Sequence, residues 1–227
     1  MISVKIEVCV DDHQGLDAAI DGGADRIELC SRLDLGGLTP EAGLLDLVFA
    51  CPVPVRAMIR LRGGGFVLSA DDIDQMVAQI EVAHNAGCEG VVFGAATADG
   101  ELDIAALRQL TLAANGLGKT LHRVVDTLAD PVEAVRIAQG LGIDTILSSG
   151  GQTSAEDGIP LLYDMIQQAS SVTIMPGAGV TVANAARIAS ATSARWIHGS
   201  FKGSEGITSC KAIESVRRAL EDLQTAP

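Results

Sequence analysis

Gly22-Gly23-Ala24-Asp25-Arg26-Ile27-Glu28-Leu29-Cys30 decides the fold, because its opening recurs along the chain. Ala86-Gly87-Cys88-Glu89 and Gly140-Leu141-Gly142-Ile143-Asp144 repeat it. Each time a glycine suited to closing a helix is followed by a polar residue and then an apolar run. The recurrence marks a repeated βα unit. Working outward, strand-like segments fall near 5–10, 25–30, 55–60, 90–95, 120–125, 145–150, 173–178 and 195–200. Helix-period stretches lie between them. The clearest runs from Asp71 to Ala86, with Ile73, Met76, Val77, Ile80 and Ala83 on one stripe, Ser69 as its N-cap and Gly87 as its stop. Eight such units with no Pro-, Ser- or charge-rich linker predict one α/β domain over 1–227, a closed (β/α)8 TIM-type barrel. An open doubly wound sheet is the alternative. It usually carries a glycine fingerprint after its first strand, where this chain reads Asp11-Asp12-His13-Gln14-Gly15.

Hydrophobic residues make up 48% of the 227, but aromatics only 3%, so the core has to be aliphatic. A net charge of −13, from 16 basic and 29 acidic residues, repels phosphate backbones and anionic membranes. No nucleic-acid partner is therefore expected. No apolar, uncharged stretch reaches the roughly 18 residues a membrane helix needs, and Met1-Ile2-Ser3-Val4-Lys5 runs straight into strand pattern without the form of a signal peptide. These features predict a cytoplasmic protein. The five cysteines (Cys9, Cys30, Cys51, Cys88, Cys210) show no C-x-x-C spacing, which argues against a disulfide framework or structural zinc.

Function in such barrels gathers at the carboxyl ends of the strands. Ile6-Glu7-Val8-Cys9 and Ile27-Glu28-Leu29-Cys30 echo each other there, each with an acid and a thiol two residues apart. That spacing puts both on one face of a strand. Glu7 and Glu28 suit either ligand or acid–base work, or ion pairs with Arg26, Arg60 or Arg62. Cys9 and Cys30 suit either a soft metal such as Cu(I) or burial as small hydrophobes. Strand five offers His122, Arg123 and Asp126. His122 and Asp126 read as one strand face, with His122 either a proton-transfer group oriented by Asp126 or a core histidine. Asp126 could equally cap the helix opening near Asp130-Pro131. Arg60 and Arg62, ahead of Gly63-Gly64-Gly65, read as an anion clamp or as partners of the barrel's own acids. Ser149, Gly177 and Gly179, and His198 with Ser200, complete the polar set. Glycine turns after strands seven and eight serve as phosphate cradles in many barrels and as ordinary turns elsewhere.

At these residues the chain resembles the copper homeostasis protein CutC family. The resemblance rests on Glu-Val-Cys near the start, Gly22 through Ser31, Gly36-Gly37-Leu38-Thr39-Pro40, and Met58-Ile59-Arg60-Leu61-Arg62-Gly63-Gly64. It continues through Asp99-Gly100, His122-Arg123-Val124-Val125-Asp126, Ser149-Gly150-Gly151, the turn ending at Val180, Asn184 and His198, so it spans roughly residues 4 to 200. It implies a cytoplasmic, oligomeric barrel linked to copper handling, with Cu(I) on thiols matching Cys9 and Cys30. Leu61, Ala178 and Trp196 depart from the family pattern, where a proline, a glycine and an acid are usual. The crowded polar mouth also supports a different class, a lyase- or isomerase-type enzyme acting on a small anionic or phosphorylated metabolite. In that reading His122, Asp126, Glu7 and Glu28 are catalytic, and Arg60, Arg62, Arg123, Ser149, Gly177, Gly179, His198 and Ser200 bind the anion.

Overall fold

The computed structural model describes residues 3–203 and 205–225, so Met1 and Ile2 of the expected strand lead-in lie outside the described residues. The elements run β1 (Lys5–Val10), α1 (His13–Asp21), β2 (Arg26–Leu29), α2 (Ala42–Leu45), β3 (Val55–Met58), α3 (Ala70–Asn85), β4 (Gly90–Phe93) and α4 (Ile104–Ala113). They continue with β5 (Gly118–Leu121), α5 (Pro131–Gly140), β6 (Thr145–Ser148), α6 (Ile159–Gln168), β7 (Thr173–Pro176), α7 (Ala185–Thr192), β8 (Trp196–Gly199) and α8 (Cys210–Thr225). All strand pairs are parallel, in the order β7-β6-β5-β4-β3-β2-β1-β8. β7 and β8 lie against each other and bring the ring almost to closure. This is the (β/α)8 barrel, and the doubly wound alternative is set aside.

The recurring phrase has a physical basis. Gly23, Gly87 and Gly142 take φ of 81°, 88° and 69°, the left-handed turn that ends α1, α3 and α5 without a Cβ penalty. The acid two residues on then ties neighbouring elements together. Asp25 accepts the Ile6 N–H at 2.8 Å and Asp144 accepts the Lys119 N–H at 2.6 Å. Ser69 caps α3 as predicted, through a reciprocal box with Asp72.

Strand alternation separates two interiors. Ile6, Val8, Ile27, Leu29, Phe93, Leu121, Ile146 and Ile197 face the helices and build one apolar, mainly aliphatic core with them. The alternate residues fill the barrel itself, and there the filling is largely polar: Glu7, Arg26, Glu28, Arg56, Thr120, His122 and His198 are all buried. A barrel centre is more usually packed with aliphatic layers. At the amino-terminal end Arg56 plugs the ring. It donates to Glu89 at 2.9 Å, Asp144 at 2.7 Å and the Thr120 hydroxyl at 2.8 Å. Glycine makes room for it, since a Cβ on Gly118 would stand 2.3 Å from its Nη2.

Strand five ends earlier than predicted. The chain leaves the sheet at Leu121, His122 becomes the N-cap of a 3-10 turn over Arg123–Thr127, and Asp126 lies in that turn. His122 and Asp126 therefore do not share a strand face. Met58 likewise ends β3, so Arg60 and Arg62 sit on a loop.

Candidate functional site

The carboxyl ends of the strands surround an open cavity of about 1070 Å³. Cys9 and Glu28 form part of its floor, with His198 beside them, and Arg60, Phe66, His122, Arg123 and the loops after β7 and β8 form its walls. Register explains the floor: Cys9 pairs with Glu28 across β1 and β2, and Glu7 pairs with His198 across β1 and β8. One ligand atom from each of Cys9, Glu28 and His198 lies within 4.8 Å of the others.

Glu7 sits beneath this group, fully buried, and holds it in place. Its Oε1 meets His198 Nδ1 at 2.8 Å, and its Oε2 accepts from Arg26 Nε at 2.5 Å. Arg26 in turn stacks on Trp196, 4.2 Å from the ring centroid, so the residue that departs from the family pattern supplies an aromatic face in place of a carboxylate. Burial would raise the Glu7 carboxyl, but His198 and Arg26 outweigh it and hold it down, at about 2. Burial would lower the His198 imidazole, but Cys9, Glu28 and Glu7 push it well above its ordinary value. With Nδ1 engaged by Glu7, His198 presents Nε2 toward Glu28, 3.8 Å away.

Glu28 is raised, chiefly by burial. Its Oε1 is a buried oxygen without a hydrogen-bond partner among the described residues. Cys30 is buried and does not line the cavity. Its thiol lies 3.5 Å from Glu28 Oε2, in a small apolar cluster with Met58, Val92 and Leu33, and burial together with Glu28 pushes it well up. The thiol grouped with His198 is therefore Cys9.

On the opposite wall His122 is 4% exposed and packs on Phe66 at 4.8 Å between centroids. Its Nδ1 accepts the Val124 N–H at 3.1 Å, and burial and then Arg60 lower its pKa to about 3, so it is a neutral imidazole. Asp126 does not orient it. That carboxylate is spent on Ser148, Ser149, the Gly151 N–H and Arg123, which pins the 3-10 turn to the loop after β6. Ser149 is fully buried in this knot and does not line the cavity.

The two arginines read as a clamp part company. Arg62 faces outward and pairs with Asp72 at 2.5 Å, while Arg60 stays on the cavity wall. Gly177 also lies outside the lining, and a Cβ there would strike Leu147 at 2.4 Å and His198 at 3.2 Å. Ala178, Gly179, Gly199 and Ser200 do line it. Ala178 takes φ 81° where the family pattern has glycine, and Asn184 closes the same turn by accepting from Thr181 N and donating to Gly179 O.

Sequence reading missed Gly94, whose Cβ would come within 2.4 Å of the His122 ring. A glycine closing the apolar run Val91-Val92-Phe93 was the available signal for a close approach. It also missed Phe66, Gln152 and Lys202 on the wall, whose loop positions carry no periodic signal.

Fold and site together define a TIM-type barrel whose charged interior opens onto a sulfur–nitrogen–oxygen group at its carboxyl mouth. The chain belongs to the CutC family, whose model matches residues 4–203. A CutC family relative from Sinorhizobium medicae is 45% identical over 215 residues, covering 94% of this chain and 88% of its own length. Another from Caulobacter vibrioides is 47% identical over 201 residues, covering 88% and 82%. A crystal structure from Streptococcus agalactiae, described as a candidate copper homeostasis protein CutC, superposes with a TM-score of 0.82 at 28% identity. It covers 88% of this chain and 99% of that one.

Proposed function

We propose that this chain serves copper homeostasis by holding a Cu(I) ion at the floor of the mouth, on Cys9 Sγ and His198 Nε2 with the Glu28 carboxylate alongside. The observation that carries the reading is Glu7. A buried carboxylate on the far nitrogen of an imidazole fixes the tautomer and ring orientation that a metal ligand needs. The donor set agrees: a thiolate and an imidazole suit Cu(I) better than they suit Mg²⁺ or Ca²⁺. The unpartnered Glu28 Oε1 is a buried acceptor that a cation would satisfy. The family resemblance extends the proposal to a cytoplasmic homo-oligomer, which sedimentation of the purified protein tests. No helix among the described residues is long and apolar enough to cross a membrane.

Anaerobic Cu(I) titration against a competing chelator tests the site. Cys9→Ser and His198→Gln should each weaken binding by at least the roughly 10–100-fold that losing only an outer-shell partner of a ligand costs. Cys30→Ser should stay within a few-fold of the parent. Unchanged affinity in Cys9→Ser would remove the proposal. An equal loss in Cys30→Ser would move the ion to the two sulfurs instead.

A further inference from the structure

The cavity is far larger than one ion needs, and its wall opposite the Cys9 group holds a cation without a counter-ion. Arg60 makes no ion pair among the described residues. Its guanidinium spends three N–H groups on carbonyls, at Leu35 O (2.9 Å), Gly37 O (3.2 Å) and Gly64 O (3.0 Å). Nε is enclosed and has no acceptor. Arginine carries five N–H donors, so besides the enclosed Nε–H one Nη2–H remains for the cavity. Half-buried charges of this kind are normally matched by an acid.

The second feature stands beside it. Phe66 touches both groups, with Arg60 5.0 Å and His122 4.8 Å from its ring. His122 accepts through Nδ1, so its proton is on Nε2, and that N–H has no partner among the described residues. Gly94 is what leaves space for this ring. A charged guanidinium N–H and a neutral imidazole N–H on one wall of a large cavity match an oxyanion.

We infer that the Arg60–His122 wall binds the anionic group of a small organic molecule, a carboxylate or a phosphate, within the same mouth. This inference does not depend on the copper reading, because neither residue belongs to the Cys9 group and the test uses no metal. Calorimetric titration of the metal-free protein with inorganic phosphate and with citrate, at ionic strength held constant with sodium chloride, checks it. One of the two should bind the parent protein, and the stronger arm tells phosphate from carboxylate recognition. Arg60→Lys, which keeps the charge but loses the planar guanidinium that places this N–H, should weaken that binding about tenfold. His122→Gln should weaken it several-fold, and this arm stands alone if Arg60→Lys fails to fold. Arg62→Gln, on the outward-facing arginine, should bind like the parent. Absence of binding by both anions, or binding that is unchanged in Arg60→Lys and His122→Gln, would overturn the inference.

Discussion

At the amino-terminal end of the barrel Arg56 is encircled by Glu89, Asp144, Thr120 and Thr145, and each of its guanidinium nitrogens finds an acceptor. At the carboxyl mouth Glu28 Oε1 and Arg60 Nε find none. Both regions place charge inside a sheet, and burial is costly in both unless the groups are paired. The paired end is explained by stability alone. The unpaired end is a place where local rules are broken without a compensating contact inside the chain, which is where function concentrates. Between the two, Glu7 belongs to both: it is paired with Arg26 below and fixes His198 above.

That contrast is open to attack by mutation. Removing the plug with Arg56→Ala empties the ring and unpairs Asp144 and Glu89, whose half-exposed carboxylates water can reach, and should cost about 2 kcal/mol in urea unfolding through lost packing and hydrogen bonds. A loss below about 1 kcal/mol would mean that the amino-terminal network is not what holds the barrel. Ala178→Gly should stabilise by about 1 kcal/mol by relieving the left-handed backbone at φ 81°, and a loss of stability there would show that the methyl group packs. Glu28→Gln should be close to neutral, because burial already works against the charged carboxylate and its Oε1 has no hydrogen bond to lose. A loss comparable to Arg56→Ala would erase the distinction between the two ends.

Acid titration sharpens the same comparison. His122 is lowered to about 3 by burial and by Arg60, while an unfolded histidine titrates near 6.5. The unfolded chain therefore binds a proton there first as pH drops. Stability from this group is fully present above pH 6.5 and is lost as pH falls from 6.5 toward 3. His122→Gln should flatten that part of the profile while leaving the fold in place. An unchanged slope between pH 6.5 and 4 would show that the imidazole is accessible to protons in the native state.

Much of the fold was legible because glycines and acids recur in register with the helix ends. Asp25 and Asp144 could be read as loop residues before their N–H partners were known, since the phrase repeats. The same-face spacing of Glu7 with Cys9 and of Glu28 with Cys30 was legible as well. Which thiol meets His198 was not, because that depends on how β8 pairs with β1. Asp126 was misread since the strand reading was carried past Leu121, although Leu121, Val124 and Val125 stand at the i, i+3, i+4 spacing of a helical turn rather than in strand alternation. The turn is too short for that spacing to decide, and the His122 cap on Val124 N is what reveals it. Arg62 was misread because its partner, Asp72, is hidden in the capping box of α3, on the outer side. Spacing within a strand could be read; pairing between distant segments needed the three-dimensional structure.

X-ray absorption at the copper edge of the anaerobic Cu(I)-loaded protein tests the central claim most directly. One sulfur scatterer from Cys9 with nitrogen or oxygen from His198 and Glu28 is expected, with loss of the sulfur contribution in Cys9→Ser but not in Cys30→Ser. A spectrum fitted by two sulfurs and no imidazole would contradict it.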